Sequence, residues 1–303
     1  SRLLLFFFQA EDGIRVLVRS RGLGDVYKRQ IMEHILLLLK AHGVREVYSN
    51  LYYLADQIES YFGDGSAQGL SVKFKVEEKL PGTAGGVKNL EQHFDETFIV
   101  ISGDLLTDFD LTRALEFHRR QGSIATILLT KVDNPLEYGV VITDKSGRIQ
   151  RFLETPGWSE VFSDTIYTGI YILEPEVLKH IPPGQDFDFS RDLFPLLLRE
   201  KQPLFGYVAD GYWCDVGNIE MYIRAQVDAL SGKERLSIPG EQVMPGVWVA
   251  KSAKISSRAD LKGPMVLGRT ARSPQAPACA STCLLYTSPS PRDRTRSRMP
   301  SSA

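Results

Sequence analysis

The stretch Phe98-Ile99-Val100-Ile101-Ser102-Gly103-Asp104 decides the fold of this chain. Its first five residues are apolar or small and do not alternate, which is typical of a strand buried on both faces in a parallel α/β sheet. The strand ends in Gly103-Asp104, so a carboxylate lies where open α/β sheets bind ligands, at the carboxyl ends of the strands. Such a carboxylate can hold a hard cation such as Mg²⁺ against phosphate. The alternative is an aspartate that only caps the next loop.

Helical and strand patterns alternate on both sides of this stretch. Helices are predicted over residues 32–42, 56–62, 85–93 and 111–121, with Gly43 as the first C-cap and Asp110 as the last N-cap. Strands are predicted over residues 44–50, 70–77, 98–102 and 124–130. This order predicts an α/β fold with a Rossmann-like, doubly wound and mainly parallel sheet.

After residue 130 the pattern changes. Two predicted strands, 139–143 and 149–153, flank Asp144-Lys145-Ser146-Gly147, a turn-rich loop that suits a hairpin. Further strands are predicted at 166–173, 204–208 and 212–215, and helices at 194–199 and 219–230. We expect antiparallel strands in this half to wall a substrate pocket.

Small and aliphatic residues recur about every six positions over residues 246–268, which is typical of a left-handed parallel β-helix. An irregular C-terminal strand is the alternative. Both ends of the chain differ in character, since residues 6–30 and 283–303 resemble translated sequencing adapter and residues 269–282 lack periodicity. We therefore expect residues 1–30 and 269–303 to be artefacts, residues 31–235 to form the main domain without its first strand, and residues 245–268 to begin the β-helix.

The formal net charge is −1, but both suspect ends are basic and the body between them carries −9. An acidic body argues against a nucleic-acid partner. Of the three cysteines only Cys214 lies in the body, which supports neither a disulfide framework nor a zinc site and favours a cytoplasmic location. No apolar run approaches the ~18 residues of a membrane span.

Two further motifs carry chemistry. Leu80-Pro81-Gly82-Thr83-Ala84-Gly85-Gly86 lies between a strand and a helix, where glycines let the backbone approach a ligand and exposed N–H groups suit polar or anionic atoms. A plain tight turn is the alternative. Trp213-Cys214-Asp215-Val216-Gly217-Asn218 ends a short strand in a second carboxylate, which can share one Mg²⁺ with Asp104 or can N-cap the next helix. Glu154 also ends a strand, where it can accept hydrogen bonds from sugar hydroxyls or lie solvated on the surface.

Six motifs in order resemble the sugar-1-phosphate nucleotidylyltransferases, and most of all the mannose-1-phosphate guanylyltransferases. They are Gly82-Thr83-Ala84-Gly85, Ser102-Gly103-Asp104, Glu137-Tyr138-Gly139-Val140-Val141, Phe152-Leu153-Glu154, Thr168-Gly169-Ile170-Tyr171 and Trp213-Cys214-Asp215-Val216-Gly217-Asn218. The resemblance implies the nucleotide-diphospho-sugar transferase fold. It implies transfer of a nucleotidyl group from an NTP (GTP) to a sugar 1-phosphate (mannose 1-phosphate), with release of pyrophosphate. Assembly into a homo-oligomer is left open.

The resemblance also assigns site residues. It implies Mg²⁺ as cofactor, with Asp104 and Asp215 as metal ligands and catalytic residues. The implied nucleotide contacts are Gly82, Thr83 and Ala84, and the implied sugar contacts are Gly139, Glu154, Thr168 and Gly169.

Three departures from the family limit what the resemblance implies. The family's Gly-rich loop with its Arg and Lys would precede Ile31, where adapter-like sequence stands, so we expect the chain as written to lack turnover. Thr155 replaces a lysine and Tyr167 replaces an asparagine of the family pattern. A non-catalytic regulatory subunit that binds nucleotide sugar therefore stays an alternative. An acyltransferase would need many more hexads and a catalytic histidine among them, and neither is visible.

Overall fold

The computed structural model describes residues 4–7, 23–52, 55–135, 138–153, 163–233, 238, 240–251, 253, 263 and 265–267, and at residues 4–7, 23–29 and 219 the backbone alone. The chain divides into two units. The first consists of residues 1–10 and 35–213, and the second of residues 11–34 and 214–303. In the described ranges no helix is both long enough and apolar enough to cross a bilayer.

The regular elements follow the predicted alternation closely. The strands are β1 (Leu4–Phe7), β2 (Glu46–Leu51), β3 (Ser71–Val76), β4 (Phe98–Ser102), β5 (Leu105–Thr107), β6 (Ala125–Lys131), β7 (Val140–Thr143), β8 (Ile149–Leu153), β9 (Thr165–Leu173), β10 (Leu204–Val208), β11 (Trp213–Asp215), β12 (Glu241–Met244), β13 (Val247–Val249) and β14 (Met265–Leu267). The α-helices are α1 (Leu23–Ala41), α2 (Ala55–Phe62), α3 (Thr83–Lys88), α4 (Leu111–Gln121), α5 (Phe194–Arg199) and α6 (Ile219–Leu230).

A nine-stranded mixed sheet organises the first unit, in the order β10-β6-β9-β4-β1-β2-β3, with the β7–β8 hairpin attached to β9. Strands β4, β1, β2 and β3 run parallel, as do β10 and β6. Strand β9 runs antiparallel to both of its neighbours, β4 and β6. The start of β9 therefore lies beside the carboxyl end of β4, at the edge where such sheets bind ligands.

The position of β1 corrects one expectation. Residues 1–30 were expected to lie outside the domain, which was expected to lack its first strand. The structure instead places Leu4–Phe7 between β2 and β4, parallel to both, with Leu5 opposite Tyr48 and Val100. A short, wholly apolar run is what an interior strand of a parallel sheet requires. Helix α1 likewise begins at Leu23, before the predicted start at residue 32.

The core is built from the apolar faces that the periodicity predicts. In α1, Met32, Ile35, Leu36 and Leu39 are spaced by three or four residues and are at most 2 % exposed. Strand β4 is buried on both faces, as its unbroken apolar run predicts. Caps also follow the sequence: Asp110 accepts a hydrogen bond from the backbone N–H of Arg113 at 3.1 Å and so N-caps α4.

The predicted hairpin is confirmed. Strands β7 and β8 pair antiparallel across the loop at residues 144–148. The carboxylate of Asp144 accepts hydrogen bonds from the backbone N–H groups of Ser146 at 2.8 Å and Arg148 at 3.1 Å. An aspartate that accepts hydrogen bonds from the backbone just ahead of it stabilises a tight turn.

The second unit ends in three short strands. Strand β12 pairs antiparallel with β13, and β13 pairs parallel with β14. Val247 faces Met265, eighteen residues further along the chain, which is the length of three hexads. Most of the connecting residues lie outside the described ranges, so the left-handed β-helix stays a prediction.

Candidate active site

Asp104 lies at the carboxyl end of β4, in the two-residue turn that leads directly into β5. Its side chain is half-buried, and Oδ1 accepts a hydrogen bond from the hydroxyl of Ser102 at 2.7 Å. The central strand thus delivers a carboxylate to the ligand edge of the sheet, as the sequence predicts.

Gly169 lies against this turn. Because β9 is antiparallel to β4, with Ile170 opposite Ile101, the start of β9 passes beside the residues around Asp104. Gly169 has φ +76°, and a Cβ atom there would lie 3.2 Å from both Cβ of Ser102 and Cδ1 of Leu105. The fold therefore brings the predicted sugar-contact glycine next to the predicted metal-ligand turn.

Thr168 has a different environment from its neighbour. The residue is 1 % exposed, and its hydroxyl donates to the carbonyl of Leu128 at 2.8 Å. A threonine hydroxyl has one proton to donate, so in this arrangement that proton ties β9 to β6. The sugar contact predicted for Thr168 would have to be made without it.

Tyr212 and Trp213, which precede Asp215, are held by hydrogen bonds to residues of other segments. The backbone N–H of Tyr212 donates to Oδ1 of Asp108 at 2.7 Å, and the hydroxyl of Thr107 donates to the Tyr212 carbonyl at 2.7 Å. The indole N–H of Trp213 donates to the carbonyl of Thr168 at 3.0 Å.

Asp215 belongs to the second unit and ends β11 with a half-buried side chain. The alternative that Asp215 N-caps the next helix is wrong, because Asn218 is the N-cap of α6 and accepts from the backbone N–H of Met221 at 2.9 Å. Among the described atoms, a Cβ at Gly217 would meet only Oδ1 of Asp215, 3.6 Å away. The convergence of Asp104 and Asp215 on one ion stays a prediction. No cluster of three His, Cys, Asp or Glu side chains suited to a metal ion occurs within the described ranges.

The glycine-rich turn at residues 82–85 is more buried than expected. Gly82 has φ +74° and ψ 167°, and a Cβ there would lie 2.5 Å from the carbonyl oxygen of Phe187. The backbone N–H groups of Ala84 and Gly85 both donate to that same carbonyl at 2.9 Å. The expectation that these N–H groups are exposed to a ligand is therefore wrong for Ala84 and Gly85. The nucleotide contacts of Gly82, Thr83 and Ala84 remain predictions.

Thr83 is bonded to a residue that the sequence analysis missed. Its hydroxyl donates to Oδ2 of Asp188 at 2.5 Å and accepts from the backbone N–H of Phe189 at 3.0 Å. Burial by itself would raise the pKa of Asp188. The hydrogen bonds from Thr83, Ser190 and Arg191 outweigh burial and lower the pKa of this carboxyl below its ordinary value. Asp188 is therefore ionised at neutral pH. An aspartate before Ser190-Arg191 fits an N-cap pattern, a signal that could have drawn attention to it.

A second missed residue, Asn50, holds α3 from the other side. Asn50 is 3 % exposed, and its amide donates to the carbonyl of Gly86 at 3.1 Å and to Oε1 of Glu77 at 3.0 Å. The amide of Asn89 also donates to Glu77. Helix α3 is thus fixed by polar contacts that start at the carboxyl end of β2.

Tyr167 stands where the family has an asparagine, and its larger ring fits because residue 139 is a glycine. A Cβ at Gly139 would overlap the ring of Tyr167, and the Gly139 carbonyl accepts from the Tyr167 backbone N–H at 3.1 Å. The Tyr167 ring stacks on Phe152, with ring centroids 5.2 Å apart. Glu154 and Thr155 lie outside the described residues.

The chain is similar to known nucleotidyltransferases. The sequence model of the nucleotidyl transferase family matches residues 21–232, a range that starts before Ile31. UTP–glucose-1-phosphate uridylyltransferase of Synechocystis sp. is 38 % identical over 263 residues, which cover 82 % of this chain and 68 % of the relative. Mannose-1-phosphate guanylyltransferase of Mycobacterium tuberculosis is 34 % identical over 246 residues, which cover 79 % and 67 %.

A solved structure agrees on the fold. The putative glucose-1-phosphate thymidylyltransferase of Bacillus anthracis, crystallised with a sucrose, has a TM-score of 0.64 at 22 % identity and covers 78 % of this chain and 97 % of its own. The α/β fold class with its Rossmann-like sheet is confirmed. On the extent of the family match and on these identities, the chain belongs to the sugar-1-phosphate nucleotidylyltransferase family.

Proposed function

We propose that this protein transfers a guanylyl group from GTP to mannose 1-phosphate and releases pyrophosphate. The meeting of the turn of Asp104 with Gly169 at the ligand edge of the sheet, in a chain of this family, supports nucleotidyl transfer. The identity of 34 % to the guanylyltransferase of Mycobacterium tuberculosis favours GTP and mannose 1-phosphate. In the reaction a phosphate oxygen of the sugar 1-phosphate attacks the α-phosphorus of the nucleotide. The bond between that phosphorus and the bridging oxygen to the β-phosphate breaks, and pyrophosphate leaves.

The residues of the chain act by position and charge, because little covalent chemistry is asked of the protein in a transfer to phosphorus. The turn at residues 82–85 holds the nucleobase, and the edge of the sheet at Gly139 and Gly169 holds the sugar.

Asp104 and Asp215 would hold Mg²⁺. Both are half-buried carboxylates at strand ends, and hard oxygen ligands of this kind suit the ion. Mg²⁺ is commonly bound through one or two carboxylates together with substrate phosphates. When bound, the ion would neutralise charge that develops on the phosphate oxygens.

A second candidate is uridylyl transfer from UTP to glucose 1-phosphate, which the identity of 38 % to the Synechocystis uridylyltransferase favours. The non-catalytic regulatory subunit is the other alternative. It predicts nucleotide binding without pyrophosphate release, even after a Gly-rich loop is restored.

The test uses two proteins. One is this chain, and the other is a version in which the segment upstream of Ile31 is replaced by the corresponding segment of the gene from which the chain derives. We call the second the loop-restored protein. Isothermal titration measures binding of Mg·GTP and Mg·UTP, and a coupled assay measures pyrophosphate release with mannose 1-phosphate or glucose 1-phosphate. We expect tighter binding of GTP in both proteins, and release with GTP and mannose 1-phosphate in the restored one. Preferred use of UTP and glucose 1-phosphate would replace the proposal with the second candidate. Binding without release from any pair would support the regulatory subunit.

A further inference from the structure

The turn at residues 82–85 is joined to residues 185–189 by bonds that run in both directions. The backbone N–H of Phe187 donates to the carbonyl of Pro81 at 3.0 Å, and the Phe187 carbonyl accepts from Ala84 and Gly85. Thr83 completes the junction, since its hydroxyl donates to Asp188 and accepts from Phe189. We call these contacts the Thr83–Asp188 clasp.

The two carboxylate oxygens of Asp188 accept hydrogen bonds from two different parts of the chain. Oδ1 accepts from the backbone N–H groups of Ser190 at 2.8 Å and Arg191 at 3.3 Å, and so caps the short π-helical turn Phe189–Leu193. Oδ2 accepts from Thr83 at 2.5 Å. A hydrogen bond to an ionised acceptor is stronger than one between neutral groups, so the clasp links the glycine-rich turn to a capped helical segment.

That segment is itself held in the core. Phe189 is 1 % exposed and Phe194 is fully buried. The ring of Tyr171 on β9 lies 4.9 Å from that of Phe189 and 5.0 Å from that of Phe194. Asp188 is therefore attached to a rigid part of the fold, while the turn it holds would otherwise depend on glycine-rich backbone.

We propose that Asp188 is a positioning residue for nucleotide binding, which acts through the hydroxyl of Thr83 to fix the backbone of the turn at residues 82–85 against the nucleobase. Thr83 contributes to binding through this clasp, and its hydroxyl proton is not available to the base. The inference rests on the proposed function, because it assigns the nucleobase to this turn.

The test separates nucleobase binding from triphosphate binding. Isothermal titration compares Mg·GTP with Mg·tripolyphosphate, which has no base, in the full chain and in Thr83→Val, Thr83→Ser and Asp188→Asn variants. The matched control is Asp110→Asn, another helix-capping aspartate. We expect Thr83→Val to weaken Mg·GTP binding about tenfold, as for the loss of one well-made hydrogen bond, with tripolyphosphate binding unchanged. Thr83→Ser restores the wild-type affinity because it restores the hydroxyl.

Asp188→Asn keeps one oxygen acceptor for the π-helical turn, but an NH2 group replaces the oxygen that accepts from Thr83, so the variant breaks the clasp and keeps the cap. It serves if Thr83→Val does not fold. It is expected to weaken Mg·GTP binding severalfold, while Asp110→Asn does not. Unchanged GTP affinity in both Thr83→Val and Asp188→Asn would overturn the proposed role of the clasp in nucleotide binding and leave the proposed function standing. Equal losses for GTP and tripolyphosphate would overturn it as well, since they indicate general damage. A wild-type chain that binds no nucleotide would overturn the proposed function and this inference together.

Discussion

Replacement of Gly82 by alanine should destabilise the protein more than an ordinary glycine substitution at positive φ. The φ of +74° with ψ of 167° lies in a region that is essentially restricted to glycine, at a cost of about 2 kcal/mol for another residue. The new Cβ would also lie 2.5 Å from the Phe187 carbonyl oxygen, which must then move. That movement weakens two hydrogen bonds, from Ala84 and Gly85, worth about 1 kcal/mol each. The expected loss is about 4 kcal/mol.

The control is Gly122→Ala. Gly122 is the left-handed C-cap of α4, with φ 58° and ψ 40°, and a Cβ there has nothing within 4 Å among the described residues. Its expected loss is about 1–2 kcal/mol, from backbone conformation alone. Urea denaturation followed by circular dichroism measures both variants. Equal losses in the two variants would refute the close contact between residues 82 and 187.

Three further outcomes are expected. In the loop-restored protein, Asp104→Asn should lower pyrophosphate release by at least ~10²-fold through loss of a metal-held charge, while Asp110→Asn does not; unchanged release would exclude Asp104 as a ligand. Burial lowers the pKa of His34 from 6.5 to about 4, so the unfolded state binds the proton first. The stability from this group is complete above pH 6.5 and falls by up to about 3 kcal/mol as the pH falls toward 4. Urea titrations of His34→Asn should show a smaller loss than the wild type, because His42 and His118, whose pKa values are also lowered by burial, remain in the variant; an equal loss in the variant would contradict the assignment. In the loop-restored protein, Gly169→Ala should lower pyrophosphate release, because the new Cβ would lie 3.2 Å from Cβ of Ser102, whose hydroxyl donates to Asp104; steady-state kinetics tests this, and unchanged release would argue against a place for Gly169 beside the reacting groups.

Local patterns were sufficient for most of the fold. Unbroken apolar runs identify interior strands such as β4, and three-to-four spacing identifies the buried face of α1, because burial determines both patterns. The N-cap at Asp110 and the turn at Asp144 were predictable because their hydrogen bonds join residues only a few positions apart in the chain.

Contacts between distant segments were not predictable in this way. Thr83 and Asp188 are 105 residues apart, and nothing in either local pattern requires that they meet. Thr168 lies in a motif that resembles a sugar site, yet its hydroxyl is bonded to a neighbouring strand. Strand β1 was missed because the composition around it suggested foreign sequence, which outweighed a run of four apolar residues that pairs well in the sheet.

The bond between the Trp213 indole and the Thr168 carbonyl gives the protein an internal optical probe. The indole is held at 3.0 Å from that carbonyl, and its ring lies 5.4 Å from that of Tyr138, next to the glycine at residue 139. Indole emission shifts in wavelength when its polar surroundings change, so we expect binding of a sugar phosphate at the site proposed beside Gly169 to shift the emission of Trp213 without an attached dye. The chain has three tryptophans, and the difference spectrum between the wild type and Trp213→Phe isolates this signal from the other two.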